Sequence, residues 1–139
     1  MPDDIHAFIG RDAFAKFIGV ELLDVGEGRA QAQMAIGPHH LNGMGRVHGA
    51  AIFGLADLAF AAACNSHGPV AMAINVSINY IKGVTEGVLH ADAYPVSVNP
   101  RLGTYTVNVT DDAGDIVAVF QGLAYRRREK RGGEPQEER

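Results

Sequence analysis

The chain is poor in the features that would place it outside a reducing compartment or inside a membrane. It has a single cysteine, Cys64, so no internal disulfide can form, and this fits a cytoplasmic setting. The start, Met1-Pro2-Asp3-Asp4, lacks the basic and apolar regions of a signal peptide. The longest apolar stretch, residues 49–64, is broken by Asp57 and is too short to span a bilayer. Basic residues are also scarce in the body of the chain. Residues 1–125 carry six basic against twelve acidic groups, a net of −6, while six of the twelve Lys and Arg crowd into residues 126–139. Such a body repels a phosphate backbone, which argues against nucleic acid as a partner. It also makes its few cations informative: Arg11, Lys16, Arg29, Arg46, Lys82 and Arg101 are the places where an anionic ligand could be held.

At 139 residues, 47% hydrophobic and 20% charged, the chain reads as one soluble globular domain over 1–126, followed by a charged tail over 127–139. The run Arg126-Arg127-Arg128-Glu129-Lys130-Arg131 reads as solvated charge. Residues 4–18 predict one short amphipathic helix carrying Ile5, Phe8, Ile9, Phe14, Phe17 and Ile18, with Asp3 or Asp4 as cap. Residues 20–26 and 29–36 predict two strands around a Gly26-Glu27-Gly28 turn, the second alternating Ala30, Ala32, Met34 and Ile36 on one face. Residues 37–48 are a Gly-rich loop. Residues 49–64 predict a long helix, apolar nearly all round, stopped near Gly68-Pro69.

Strands follow at 70–81, 88–98, 102–110 and 116–126. Ile74, Val76, Ile78 and Tyr80 share a face of the first, Pro95 marks a bulge or an edge, and Asp111-Asp112-Ala113-Gly114 forms a hairpin turn. The fold class is therefore α+β: an antiparallel sheet curled around one central helix, which explains a helix with no polar stripe.

The chemistry concentrates at that helix. Asp57 is the only charged residue between His48 and His67, and a carboxylate in such surroundings is costly unless it is paired or used. The Gly-rich loop delivers the Gly49 N–H to a helix start, where it can polarise a carbonyl oxygen. Gly49 and Asp57 are eight residues apart, which on one helix is roughly 12 Å of rise and about 80° of rotation. One helix cannot bring both to a single carbonyl. If they act together, two copies must meet, which implies a homodimer with its sites across the interface. In that arrangement Asp57 of the partner subunit activates water or attacks the carbonyl itself, Asn42 orients water or acyl group, and His48 holds the loop or hydrogen-bonds near the carbonyl. The reaction that fits is hydrolysis of an activated acyl compound. His39, His40 and His48 lack the paired spacing of a metal site, and Cys64 reads as a small buried residue.

The residues also carry a family resemblance. Asn42-x-x-Gly45-x-x-His48-Gly49, Leu55-Ala56-Asp57 and Phe60-x-x-Ala63-Cys64-Asn65-Ser66 resemble the hotdog-fold acyl-CoA thioesterases of the PaaI, phenylacetate-degradation type. Asn79-Tyr80-Ile81-Lys82-Gly83 is similar to the strand end where such enzymes meet coenzyme A, and Val119-Phe120-Gln121-Gly122 to their last strand. The resemblance spans most of residues 14–126. It implies a hotdog fold, a dimer usually paired into a homotetramer, and no cofactor, the coenzyme A thioester being the substrate. It implies a carbonyl held by Gly49 N–H and attacked with help from the partner's Asp57. It also implies coenzyme A held by basic groups, with Lys82 and Arg101 as candidates beside Tyr80 and Asn79. The alternatives are a medium- or long-chain acyl-CoA thioesterase, a hydratase, or a non-enzymatic acyl-CoA-binding module. Many members have a second glycine where this chain has Ala50, and that methyl bears on the acyl pocket.

Overall fold

The computed structural model describes residues 5–127. Its elements are helices α1 (Ile5–Gly10) and α2 (Ala13–Ile18), strands β1 (Val20–Gly26) and β2 (Arg29–Ala35), helix α3 (Gly49–Asn65), and strands β3 (Ala71–Tyr80), β4 (Val88–Val98), β5 (Leu102–Thr110) and β6 (Ile116–Arg126). A single turn of 3-10 helix, Pro38–His40, lies in the loop before α3. All six strands form one antiparallel sheet in the order β1-β2-β4-β5-β6-β3. The sheet wraps α3, as the all-apolar helix required. The expected tail and the Asp3 or Asp4 cap lie outside the described residues.

Alternation along the strands builds the inner face. Ala30, Ala32 and Met34 of β2, Leu89, Ala91 and Ala93 of β4, Tyr105, Val107 and Val109 of β5, and Ala118, Phe120 and Ala124 of β6 are all buried. Much of this face is alanine, and so is the helix that meets it: Ala56, Ala59, Ala62 and Ala63 are fully buried. Small side chains on both surfaces let helix and sheet approach closely. Phe60 fills the remaining space, edge-on to Tyr105 at 5.8 Å and tilted against Phe120 at 5.5 Å. It sits directly over Gly122, where a Cβ would come within 2.7 Å of its ring.

Three details differ from the sequence reading. The expected single helix over 4–18 is two helices, because Asp12 stops α1 and caps α2: its Oδ1 accepts the Ala15 N–H at 3.0 Å. The sheet also leaves one stripe of α3 unsealed. Ala50 is exposed, and Gly54, Asp57 and Ala61 are only half-buried; Phe53, half-buried too, still meets the Phe120 ring of β6 at 5.5 Å. Helix α2 reaches part of that stripe, with Phe14 and Ile18 against Gly54. Pro95 marks a bulge between β4 and β5 and not an edge, since β4 is flanked by β2 and β5. In β3 a bulge falls between Ala73 and Asn75, so Ile74 leaves the register that keeps Val76, Ile78 and Tyr80 opposite Gly122, Phe120 and Ala118. The edges of the sheet are β1 and β3.

Candidate active site

The loop before α3 is held by its own side chains. Asn42 Oδ1 accepts the N–H groups of Met44 at 2.9 Å and Arg46 at 3.2 Å, closing a turn that passes through Gly45 at φ 76°. His40, buried, accepts the Gly37 N–H on Nδ1 at 2.9 Å and hydrogen-bonds the Ile18 carbonyl through Nε2 at 2.7 Å, so the ring ties the end of α2 to this loop. The His40 carbonyl then accepts the His48 N–H at 2.7 Å, and Val47 N–H donates to the Val84 carbonyl at 2.9 Å. The latch role of His40 has no signature in the sequence, where it reads only as one of two adjacent histidines.

His48 is the N-cap of α3. Its Nδ1 accepts the Ala50 N–H at 2.9 Å, which occupies the second amide of the helix. The first amide, Gly49 N–H, has no acceptor among the described residues. This bond is the local one of the two roles open to His48: through Nδ1 it fixes the helix start. Tyr80 closes the other side of Gly49, its hydroxyl donating to the Gly49 carbonyl at 3.0 Å. A Cβ on Gly49 would lie 3.1 Å from the Tyr80 ring, so a larger residue there would require the ring to shift.

Asp57 lies on the unsealed stripe of α3, half-buried, with no hydrogen-bond donor to its carboxylate among the described residues. Burial raises its pKa above the ordinary carboxylate value, and the charge of Asp12 raises it further. An unpaired carboxylate with raised proton affinity on an open surface is the pattern of a general base or nucleophile. Asp12 is the site neighbour the sequence reading missed; an Asp just before the apolar run 13–18 is a capping signal that would have placed a helix start there.

The remaining candidates divide. Tyr80 joins Gly49, but Asn79, next to it on β3, takes the opposite face of the sheet and is exposed. Lys82 lies beside the Gly49 groove, yet its ammonium is held by Asp111 at 2.5 Å and Asp115 at 2.7 Å, and these bonds raise its pKa. Arg101 sits at the far end of the sheet: its carbonyl accepts the Arg126 N–H, whereas Tyr80 pairs with Ala118. Eight residues of strand separate those two rungs, roughly 26 Å. Within one chain Lys82 and Arg101 therefore belong to different places. Arg126, expected within a solvated run, is buried, with Nη1 donating to the Asn99 carbonyl at 3.0 Å. Cys64 is buried and its thiol is pushed up to about 12, as expected of an inert core residue.

The comparison with protein families bears directly on this arrangement. The model of the thioesterase superfamily matches residues 44–118, from the Gly-rich loop through the start of β6. This chain belongs to that superfamily. The acyl-coenzyme A thioesterase PaaI of Escherichia coli is 34% identical over 122 residues, 87% of each chain. A protein of Archaeoglobus fulgidus is 40% identical over 116 residues, covering 83% of this chain and 75% of that one. Among solved structures, the Escherichia coli PaaI protein from the phenylacetic acid degradation operon superposes with a TM-score of 0.84 at 34% identity, over 87% of this chain and 88% of that one. The TT0310 protein of Thermus thermophilus does so with a TM-score of 0.79 at 34% identity, over 84% and 98%. The hotdog fold and the membership in the thioesterase superfamily are thus as the motif implied. No helix among the described residues is long and apolar enough to cross a membrane.

Proposed function

We propose that this chain hydrolyses acyl-coenzyme A thioesters to the free acid and coenzyme A, with aryl-acyl groups of the phenylacetyl kind as its preferred substrates, at a site shared between two copies. The observation that carries the reading is the pair of unpartnered groups on α3. The Gly49 N–H and the Asp57 carboxylate each lack a partner among the described residues, and about 12 Å of helix keeps them from meeting within one chain.

The reaction follows from the chemistry of these groups. The thioester carbonyl oxygen accepts from the Gly49 N–H, which stabilises the negative charge that develops there. Asp57 of the partner subunit takes a proton from water as the water oxygen bonds to the carbonyl carbon, or attacks that carbon itself to give an anhydride that water then opens. The C–S bond breaks, the electron pair leaves on sulfur, and the thiolate takes up the proton. Water and a carboxylate suffice for this hydrolysis, so it calls for no cofactor. Asn42 commits its oxygen to the loop, which leaves its amide N–H groups for the acyl group or water.

The edge strand β3 supports the dimer. It is ten residues long, unpaired on one side, and carries half-buried Val76 and Ile78 beside exposed Ile74 and Tyr80. Monomers rarely leave such an edge open. We infer a homodimer, paired into a homotetramer as the family implies, working in the cytoplasm. Aryl-acyl preference rests on the Escherichia coli PaaI protein and the operon in its description.

The test is thiol release from a panel of coenzyme A thioesters: phenylacetyl, hydroxyphenylacetyl, benzoyl, and straight chains of increasing length, with wild type beside Asp57→Ala. Asp57-dependent turnover that peaks on aryl-acetyl substrates supports the whole reading. A peak on straight chains keeps the mechanism and changes the acyl class. Acyl-CoA binding without turnover replaces the enzyme by a binding module.

A further inference from the structure

Six cations were available in the body of the chain to hold an anion, and the structure commits most of them elsewhere. Arg11 stacks on the Phe8 ring at 5.7 Å, and Arg29 on Tyr94 at 6.0 Å. Lys82 is bound to two carboxylates, so the Lys82, Asp111 and Asp115 group carries a net charge of −1 and repels a phosphate. Arg101 has an interaction of its own and lies at the other end of the sheet from Gly49. Lys16, in the last turn of α2, does not line the groove that holds Gly49.

Arg46 is the exception. It is exposed, makes no ion pair among the described residues, and lines a groove of about 290 Å³ together with Asn42, Gly49, Tyr80, Ile81, Gly83 and the paired Lys82. Its backbone is fixed on both sides, the N–H to Asn42 Oδ1 and the carbonyl to the Asn42 N–H. Its side chain lies across Gly83: a Cβ there would come within 3.2 Å of Arg46 Cδ and 3.4 Å of Nη1. Tyr80 touches Gly49, and Gly83 is three residues further along the chain, at most about 10 Å away. The groove therefore has the Gly49 N–H at its inner end and a guanidinium at its outer end.

We propose that Arg46 holds a phosphate group of the coenzyme, at the end of the groove opposite the reacting carbonyl. The inference rests on the thioesterase reading above. With the carbonyl oxygen at Gly49, the pantetheine arm runs out along the groove and delivers the phosphates to Arg46. A planar fork of N–H donors with no acidic partner suits a phosphate better than an ammonium already shared between two carboxylates. The loop that presents the oxyanion donor thus also presents the coenzyme contact, and Asn42 sets the geometry of both.

The experiment compares wild type, Arg46→Ala and Arg46→Lys on phenylacetyl-CoA and on the phenylacetyl thioester of N-acetylcysteamine, which has no phosphate. Coenzyme A binding is measured alongside by calorimetry at low salt. With Arg46→Ala, KM for the CoA thioester rises about tenfold while kcat stays within about twofold. The truncated thioester is turned over as in wild type, and Arg46→Lys recovers part of the loss. An equal loss on both substrates would make Arg46 a loop residue and overturn the proposal, as would no loss on either. If wild type turns over neither substrate, the hydrolase reading fails, and calorimetry still decides the inference. Coenzyme A bound about tenfold more weakly by Arg46→Ala sustains it; equal binding, or no binding by wild type, ends it.

Discussion

Asp12, the residue that caps α2, raises the proton affinity of Asp57 on α3, adding its charge to the larger effect of burial. In the proposed mechanism Asp57 acts as an ionised base or nucleophile, so the rate should rise with pH through a pKa raised from its ordinary value. Asp12→Asn keeps an oxygen to cap the Ala15 N–H but removes the charge. We expect the acid limb of the kcat/KM profile to move to lower pH, with the melting temperature little changed. An unmoved limb would mean that Asp12 does not act on Asp57. The same shift has a consequence for stability. The folded state binds the Asp57 proton more tightly than the unfolded state, so this contribution is present at low pH and is lost as pH rises from the unfolded-state pKa through the folded one. Asp57→Asn should therefore melt higher than wild type at neutral pH and lose that advantage in acid.

The division of the site between two chains can be tested by complementation. Asp57→Asn removes the carboxylate. Gly49→Pro removes the N–H at the first helical position, where proline is tolerated. His48, at φ −64° and ψ 139°, already has the conformation a following proline requires. Each variant alone should be inactive. Co-refolded in equal amounts, half the dimers are mixed and one of the two sites in each is intact, so about a quarter of wild-type activity should return. A mixture as dead as its parents would place both groups in one chain's site.

At Asn42 the loop bonds of the side-chain oxygen can be separated from the amide donors that the proposed mechanism uses. Asn42→Ala loses the acceptor for Met44 and Arg46, and should lower both the melting temperature and the rate. Asn42→Asp keeps the acceptor and loses only the N–H donors. It should fold like wild type, yet lose about tenfold in kcat if those donors serve the reaction. Full activity in Asn42→Asp would reduce the residue to a loop brace.

The packing of α3 on the sheet makes a separate prediction. Gly122→Ala places a methyl within 2.7 Å of the Phe60 ring, which is only 1% exposed and wedged between Tyr105 and Phe120. With no room to retreat, the cost should be about 1–3 kcal/mol, read as a lower denaturation midpoint with an unchanged slope.

The boundaries of the strands and of α3 were legible because the alternation at Ala30, Ala32 and Met34, or at Tyr105, Val107 and Val109, is a one-dimensional signal. The break at Asp12 was missed because the apolar period runs through it, while a single capping hydrogen bond decides against one helix. Asn79 and Lys82 share a motif with Tyr80, yet pleating turns Asn79 to the other face and a hairpin's two aspartates claim Lys82. The first outcome follows from the alternation of neighbours along a strand; the second is not visible in neighbouring residues, because Asp111 and Asp115 lie 29 and 33 positions away.

The sequence by itself determined the apolar helix, the glycine at its start and the lone carboxylate eight residues on, since local periodicity and helix geometry fix their separation. It determined as well that this separation is too long for one chain to close. Only the tertiary structure decided that His48 commits its ring to Ala50, that Asp12 lies near enough to act on Asp57, and that Arg46 rather than Lys82 keeps its charge free beside the Gly49 groove. Those are matters of which groups meet in space, and hydrogen bonds and charges act over ångströms of distance, whatever the number of residues between them.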